Sequence, residues 1–120
     1  MSDRVVRTTK KSLTTGKVWR QSWRKGTQFH RGGDKPADVW LYADGTPHIE
    51  MYYREGKEHR DGDKPSLVAY HPNGRIHIQA YSRDGAFYRE GGKPTAVTYD
   101  DQGTLVSEKF VRGTRVDLLG

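Results

Sequence analysis

The sequence contains no cysteine, which excludes disulfide bonds, thiolate metal sites and a cysteine nucleophile. It also has no apolar run near the roughly 18 residues that a membrane-spanning helix requires. The first residues, MSDRVVRTTKK, lack the apolar region of an export signal. Apolar residues make up only 32% of the 120 residues, which suffices for one small core. We therefore expect one soluble, cytoplasmic domain with no transmembrane contact.

Catalytic and nucleotide-binding motifs are absent as well. The sequence has no GxxxxGK(S/T), GxSxG, HExxH or EF-hand pattern. The letters HRDG at 59–62 are those of a kinase catalytic loop, but a chain of 120 residues is too short for a kinase. We therefore expect a protein that is not an enzyme and that uses no cofactor.

The positive charge is concentrated at the N-terminal end. Residues 1–31 contain nine bases and one acid, a net charge of +8, whereas the remaining residues contain 12 bases and 14 acids. Bases interleaved with aromatic residues are typical of surfaces that bind phosphate and stack on nucleobases. A basic sheet edge also prevents pairing with another chain, which is the simpler interpretation. Anionic lipid is a third candidate partner for the same bases. The candidate nucleic-acid-binding residues are Lys10, Lys11, Lys17, Trp19, Arg20, Arg24 and Lys25.

The chain repeats itself every 29 residues. The three copies share an arginine, two glycines, a Lys-Pro pair and a valine at identical positions. A period of this size identifies an array in which each unit is stabilised mainly by its neighbours. The aligned segments are HRGGDKPADVWLYADG (30–45), HRDGDKPSLVAYHPNG (59–74) and YREGGKPTAVTYDDQG (88–103).

Within each unit the hydrophobic pattern has a period of two, which predicts strands. The segment ADVWLY (37–42) ends at the turn signal ADG, and HIEMYYR (48–54) follows it as a second strand. The later copies turn at PNG and DQG, so we expect positive φ at the three turn glycines. The sequence predicts an all-β fold, in which one β-hairpin per unit forms a long, twisted antiparallel meander with essentially no helix. The turn glycines are Gly45, Gly74 and Gly103.

The order of these motifs resembles the MORN-like repeats, in the variant form that carries HRxxGPA between its strands. The resemblance covers residues 16–113, preceded by a basic segment (1–15) and followed by a C-terminal tail (114–120). This chain departs from the pattern by a lysine before each proline. The resemblance implies an interaction module, which for a viral source would include interference with a host protein.

Equivalent residues of an array stack along the sheet, so the aligned columns predict its two faces. The aromatic column of Trp23, Tyr52, Tyr81 and Phe110 predicts the core face, together with the repeated valines. The opposite face is also apolar at its middle, and therefore needs a cover. Coiling of the sheet, a second copy of the chain in a homodimer, or another protein would each provide it. The working hypothesis is a protein-binding module, with candidate contact residues Trp40, Tyr42, Ile49, Met51, Tyr53 and Ile78.

Two polar columns accompany the aromatic one. Gln21, Glu50, Gln79 and Glu108 lie two residues before the aromatics, and the expected partners are loop amides and the repeated arginines Arg31, Arg60 and Arg89. His30 and His59 are equivalent, which favours a hydrogen bond within the repeat over metal ligation. His48 and His77 are also equivalent and are expected about 10 Å apart in such an array, too far to share one zinc ion. We therefore expect no metal site.

Overall fold

The computed structural model describes residues 4–114, and every regular element in that range is a β-strand. The predicted all-β fold is confirmed. The strands are β1 (Val5–Lys11), β2 (Val18–Lys25), β3 (Gln28–Phe29), β4 (Asp38–Leu41), β5 (Pro47–Met51), β6 (Tyr53–Arg54), β7 (Lys57–Glu58), β8 (Leu67–Tyr70), β9 (Ile76–Ala80), β10 (Ser82–Arg83), β11 (Ala86–Phe87), β12 (Ala96–Tyr99), β13 (Leu105–Lys109) and β14 (Gly113–Thr114).

The main sheet is the predicted antiparallel meander. Its strands follow the order β1-β2-β4-β5-β8-β9-β12-β13, and β3 adds to β2 outside this path. The same cross-strand pair recurs at intervals of 29 residues, since Val39 lies opposite Glu50 and Val68 lies opposite Gln79. The strands β1 and β13 form the two edges of this sheet.

The hairpin turns of the main sheet are closed by glycines, as the sequence predicts. Gly45, Gly74 and Gly103 have φ angles of 88°, 88° and 86°. In this left-handed region a side chain with a Cβ atom is strained, whereas glycine is not. The repeated glycine therefore fixes the length of each main hairpin.

Two units contain a second, smaller hairpin that the sequence pattern does not predict. The expected strand 48–54 is interrupted at Tyr52, after which β6 and β7 form a two-stranded sheet of their own. Glu55 and Gly56 have φ angles of 49° and 82° in its turn. Two central residues with positive φ characterise the tight type I′ turn, for which Asp-Gly and Asn-Gly are preferred. The next unit repeats this hairpin as β10 and β11.

The small hairpins form a second layer of the molecule. The amide of Gly56 in one turn donates to the carbonyl of Phe29, and the amide of Gly85 in the next turn donates to that of Glu58, both in preceding units. Phe87 of β11 lies in the hydrophobic core with residues of the main sheet. The buried cluster consists of Leu67, Ala69, Ile78, Ala80 and Phe87, and Ile49 and Met51 pack against it.

This cluster lies on the face opposite to the predicted core face. Leu67, Ala69, Ile78 and Ala80 alternate with the valine and glutamine positions of their strands, so their side chains point away from the aromatic column. The aromatic face is also covered in the middle of the array, where Val68 and Tyr81 are buried. At its end the prediction is wrong, because Phe110 is 63% exposed. A sheet that is apolar on both faces is thus covered on one of them by the chain's own hairpins.

The basic N-terminal segment belongs to the main sheet rather than standing apart from it. Residues 5–11 form β1, which pairs with β2 over its whole length. It occupies the position that β4 and β8 have in their units, at the open edge. The predicted C-terminal tail, 114–120, lies outside the described residues except for Thr114, which ends β14.

Replacing the core aromatic of the second layer tests this arrangement. Phe87 is 2% exposed, so Phe87→Ala is expected to lower the free energy of unfolding by about 3–5 kcal/mol. Phe110→Ala is the control, with an expected change within about 0.5 kcal/mol because that ring is exposed. Urea titrations of both variants measure the difference. Similar losses in the two variants would contradict the assignment of the core.

Candidate functional site at the N-terminal edge of the sheet

The apolar residues predicted to contact a partner contribute to packing within the chain. Ile78 is 4% exposed and belongs to the core, and Ile49 and Met51 are half-buried against the same cluster. The ring of Tyr53 lies 4.9 Å from that of Phe29, measured between centroids. The cover that the sequence analysis expected for this face comes from the chain itself.

The other two residues of that set, Trp40 and Tyr42, are held by polar contacts. The indole Nε1 of Trp40 donates to Asp38, and the Arg20 guanidinium lies 4.7 Å from the centre of the Trp40 ring. The hydroxyl of Tyr42 donates to the carbonyl of Tyr70 at 2.7 Å. Both side chains are half-buried, so the six residues do not form a free apolar face.

The basic residues at the N-terminal end fall into two groups. Lys10, Lys11 and Lys17 are exposed, and so is Arg7, which the sequence analysis did not single out. Trp19 is 37% exposed, and the Nζ of Lys10 lies 5.9 Å from its ring centre. These five residues lie on β1, on the turn that follows it and at the start of β2. We call the four bases the basic edge, beside which Trp19 lies.

The remaining predicted bases are engaged inside the fold. Arg20 donates two hydrogen bonds to the carboxylate of Asp38, at 2.9 and 3.0 Å. The Arg24 guanidinium lies over the ring of Phe29, and Lys25 forms an ion pair with Glu55. Arg20, Arg24 and Lys25 therefore support the hairpins rather than extend the basic edge.

The Gly-rich loops place a row of arginines over the aromatic column. The guanidinium carbons of Arg31, Arg60 and Arg89 lie 3.7, 3.8 and 3.8 Å from the ring centres of Trp23, Tyr52 and Tyr81. Each arginine also donates from Nη1 to the carbonyl of the proline five residues later, at 3.0 to 3.1 Å. The three arginines thus have one orientation, fixed by stacking and by the loop backbone.

Two of these arginines bind an aspartate from the preceding loop. The carboxylate of Asp34 accepts hydrogen bonds from Arg60 Nε at 2.8 Å and from Lys64 Nζ at 2.9 Å. These bonds, with that from Arg60 the stronger, lower the pKa of Asp34 to about 2. Asp63 binds Arg89 and Lys93 in the same way, at 2.8 and 2.7 Å. We call each set of aspartate, arginine and lysine a carboxylate clamp.

The first loop has the cations of a clamp but, within residues 4–114, no carboxylate on them. Arg31 is stacked on Trp23 like its equivalents, and Lys35 is exposed. Burial, and secondly the nearby Arg7, lower the pKa of Arg31. The pKa of Arg89 is raised instead, by its hydrogen bond to Asp63. Arg31 and Lys35 lie next to the basic edge and extend its positive charge onto the aromatic face.

The predicted contacts between the polar column and the arginines are wrong. Glu50 accepts a hydrogen bond from the hydroxyl of Tyr70 at 2.6 Å, and burial together with this bond raises the pKa of Tyr70. Arg60 and Arg89 instead bind Asp34 and Asp63 of the preceding loops. Asp34 and Asp63 recur 29 residues apart, and this recurrence was the sequence signal that could have indicated their role in the repeat.

His30 and His59 make the hydrogen bonds within the repeat that the sequence predicts. The Nδ1 atom of His30 accepts from the amide of Glu55 at 3.0 Å, and that of His59 accepts from the amide of Asp84 at 3.1 Å. Each bond fixes the turn of the following small hairpin. Within residues 4–114, no three His, Asp or Glu side chains are grouped as metal ligands. None of the elements in this range is a helix that could span a membrane.

Reversing the charge of Arg20 is expected to destabilise the protein. Asp38 is 3% exposed, and removing one partner of a buried ion pair costs about 3–5 kcal/mol. Lys10→Glu is the matched control because Lys10 lies directly opposite Arg20 on β1 but is exposed. Its expected change is within about 0.5 kcal/mol. Urea unfolding of Arg20→Glu with a loss as small as that of the control would contradict the pairing.

The acid titration of Asp63 tests the carboxylate clamp. Its pKa is lowered to about 2 by hydrogen bonds from Arg89 and Lys93. The clamp therefore stabilises the fold above the ordinary aspartate value near 3.8, and this contribution is lost as the pH falls towards 2. In Lys93→Gln we expect the carboxyl pKa, followed by carbon-13 NMR, to rise part of the way towards 3.8. A wild-type value already near 3.8 would rule out the clamp.

No family model matches the chain, and neither the search of curated proteins nor that of solved structures finds a significant match.

Proposed function

We propose that the protein is a non-enzymatic binding module, built of MORN-like repeats, that binds an acidic segment of another protein at its basic edge. The observation that carries this proposal is a row of exposed bases along an edge strand. Arg7, Lys10 and Lys11 follow one another on β1, and Lys17 lies across the turn. A surface of one charge sign attracts a partner of the opposite sign and accelerates its association.

The edge position supports an extended partner segment. β1 is the first strand of the sheet, and within residues 4–114 no strand pairs with its outer side. Backbone N–H and C=O groups on that side can pair with an added strand, which is a common way for a sheet to bind a peptide. Successive side chains of such a strand alternate between the two faces. Acidic side chains would then meet Lys10 on one face and Arg7 and Lys11 on the other.

A protein partner fits the aromatic residues of this region better than nucleic acid does. Binding of single-stranded nucleic acid depends on several exposed rings on which successive bases stack. Here one face of Trp23 is covered by Arg31, and Phe29 is covered by Arg24 and Tyr53. Among the aromatic residues of β1–β3, Trp19 is exposed, whereas Trp23 and Phe29 are half-buried.

Nucleic acid is the second candidate, and Trp19 is the observation that favours it. The Trp19 ring stands edge-on to Trp40, with centroids 5.5 Å apart, and Lys10 lies near its face. A base stacked on Trp19 with its phosphate on Lys10 is compatible with this geometry. The two candidates differ in their response to nuclease and to Trp19→Ala.

Affinity capture from an extract of the native cell tests the proposal. The bait is the full chain, and Lys10→Glu with Lys11→Glu is compared with Lys57→Glu and Lys109→Glu, which change the charge equally elsewhere. We expect the β1 variant to lose its protein partner about tenfold or more, since charge steering changes association rates by about 10 to 10³. The control variant and Trp19→Ala should retain the partner.

Nuclease treatment and mass spectrometry complete this experiment. Partners that survive nuclease and depend on Lys10 and Lys11 support protein binding. Loss of every partner after nuclease, together with loss in Trp19→Ala, would establish nucleic acid instead. Equal capture by the β1 variant and the control would show that the bases only protect the edge from pairing.

A further inference from the structure

We propose that Arg31 and Lys35 form an open carboxylate clamp that takes an acidic side chain from the partner. This inference rests on the proposed function, because the clamp lies beside the basic edge. It names the chemical group that the site recognises.

The two filled clamps define the geometry of the site. In each, Arg Nε binds one carboxylate oxygen, and Lys Nζ binds the other at 2.9 or 2.7 Å. Arg Nη2 lies 3.4 Å from the oxygen that the lysine also binds. Charge-assisted contacts of this kind are stronger than neutral hydrogen bonds, and the planar guanidinium suits the planar carboxylate.

Arg31 already has the orientation of a filled clamp. Its guanidinium carbon lies 3.7 Å from the ring centre of Trp23, and its Nη1 donates to the carbonyl of Pro36 at 3.1 Å. The corresponding distances for Arg60 are 3.8 and 3.0 Å. A ligand therefore need not order this arginine, and affinity is not lost to that step. The Nε and Nη2 atoms of Arg31 have no carboxylate within residues 4–114.

The chain's own repeats do not offer the missing group. Thr9 lies opposite Gln21 as Val39 lies opposite Glu50, so β1 is offset from β4 by 30 residues and the position equivalent to Asp34 is Arg4, a base. If a second copy followed β13 of this chain, its Arg31 and Lys35 would meet Gly92 of this chain. Gly92 stands where the earlier loops have the aspartate. The clamp thus suits a different protein. A carboxylate is favoured over a phosphate because each of the two filled clamps binds one carboxylate through both of its oxygens.

The experiment follows the Nε–Hε signals of Arg31, Arg60 and Arg89 by NMR in the full chain. Sodium acetate is the probe, with sodium chloride at the same ionic strength as the control. We expect Arg31 to shift saturably with acetate, while Arg60 and Arg89, whose clamps are filled, do not shift. Lys35→Gln should weaken acetate binding about 2- to 5-fold, as for an exposed ion pair.

Opening a filled clamp provides an internal test. Asp34→Asn removes the carboxylate from Arg60 and Lys64, and should make Arg60 respond to acetate as Arg31 does. A silent Arg31 beside a responsive Arg60 would overturn the proposal. So would a response of Arg31 that appears only in Asp3→Asn, since Asp3, outside the described residues, would then be the ligand.

Two further outcomes separate the ligand classes and the two proposals. Inorganic phosphate that binds Arg31 more than about tenfold tighter than acetate would overturn the choice of a carboxylate, since tighter phosphate binding is expected of a nucleic-acid surface. The titration uses no partner, so it can fail while capture through Lys10 and Lys11 succeeds. Failure of capture with a responsive Arg31 would refute the proposed function alone.

Discussion

Each 29-residue unit is held in place by groups that its neighbour supplies. The carboxylate of Asp34 binds Arg60 and Lys64, which lie 26 and 30 residues later in the chain. At the other end of the strands, the hydroxyl of Tyr42 binds the carbonyl of Tyr70, 28 residues later. A single unit would leave these polar groups without partners and its apolar rows in water. The array is therefore stable only as a series of neighbours.

The same dependence covers much of both faces of the main sheet. The main sheet is apolar on both faces, so each face needs a cover. On one face the small hairpins provide it, and Phe87 fills the space above Leu67 and Ile78. On the other face the stacked arginines cover the aromatic rings, as Arg89 covers Tyr81. A partner of the middle units would therefore meet rings and apolar rows that the chain's own groups already contact.

The sequence predicts the parts of this structure that repeat locally. Alternating apolar residues and a glycine turn occur three times, which was enough to predict the meander and the φ angle of Gly74. The buried side of the sheet was not predictable in this way, because both faces carry apolar residues. Hairpins with strands of two residues have no periodicity to detect. The roles of Asp34 and Asp63 were missed because aspartate is common in turns, and the cations they bind lie 26 to 30 residues away.

The two ends of the array differ in the groups that they leave uncovered. The N-terminal end has the cations of a clamp, Arg31 and Lys35, with no carboxylate among the described residues. The C-terminal end has Gly92 in place of the aspartate, and an aromatic ring, Phe110, that is exposed. The last loop of one copy would therefore bring no aspartate to the open clamp of a second copy joined behind it. Under the proposed function, the open clamp and the exposed bases of β1 act together on an acidic partner, for which the stacked Arg31 is already oriented.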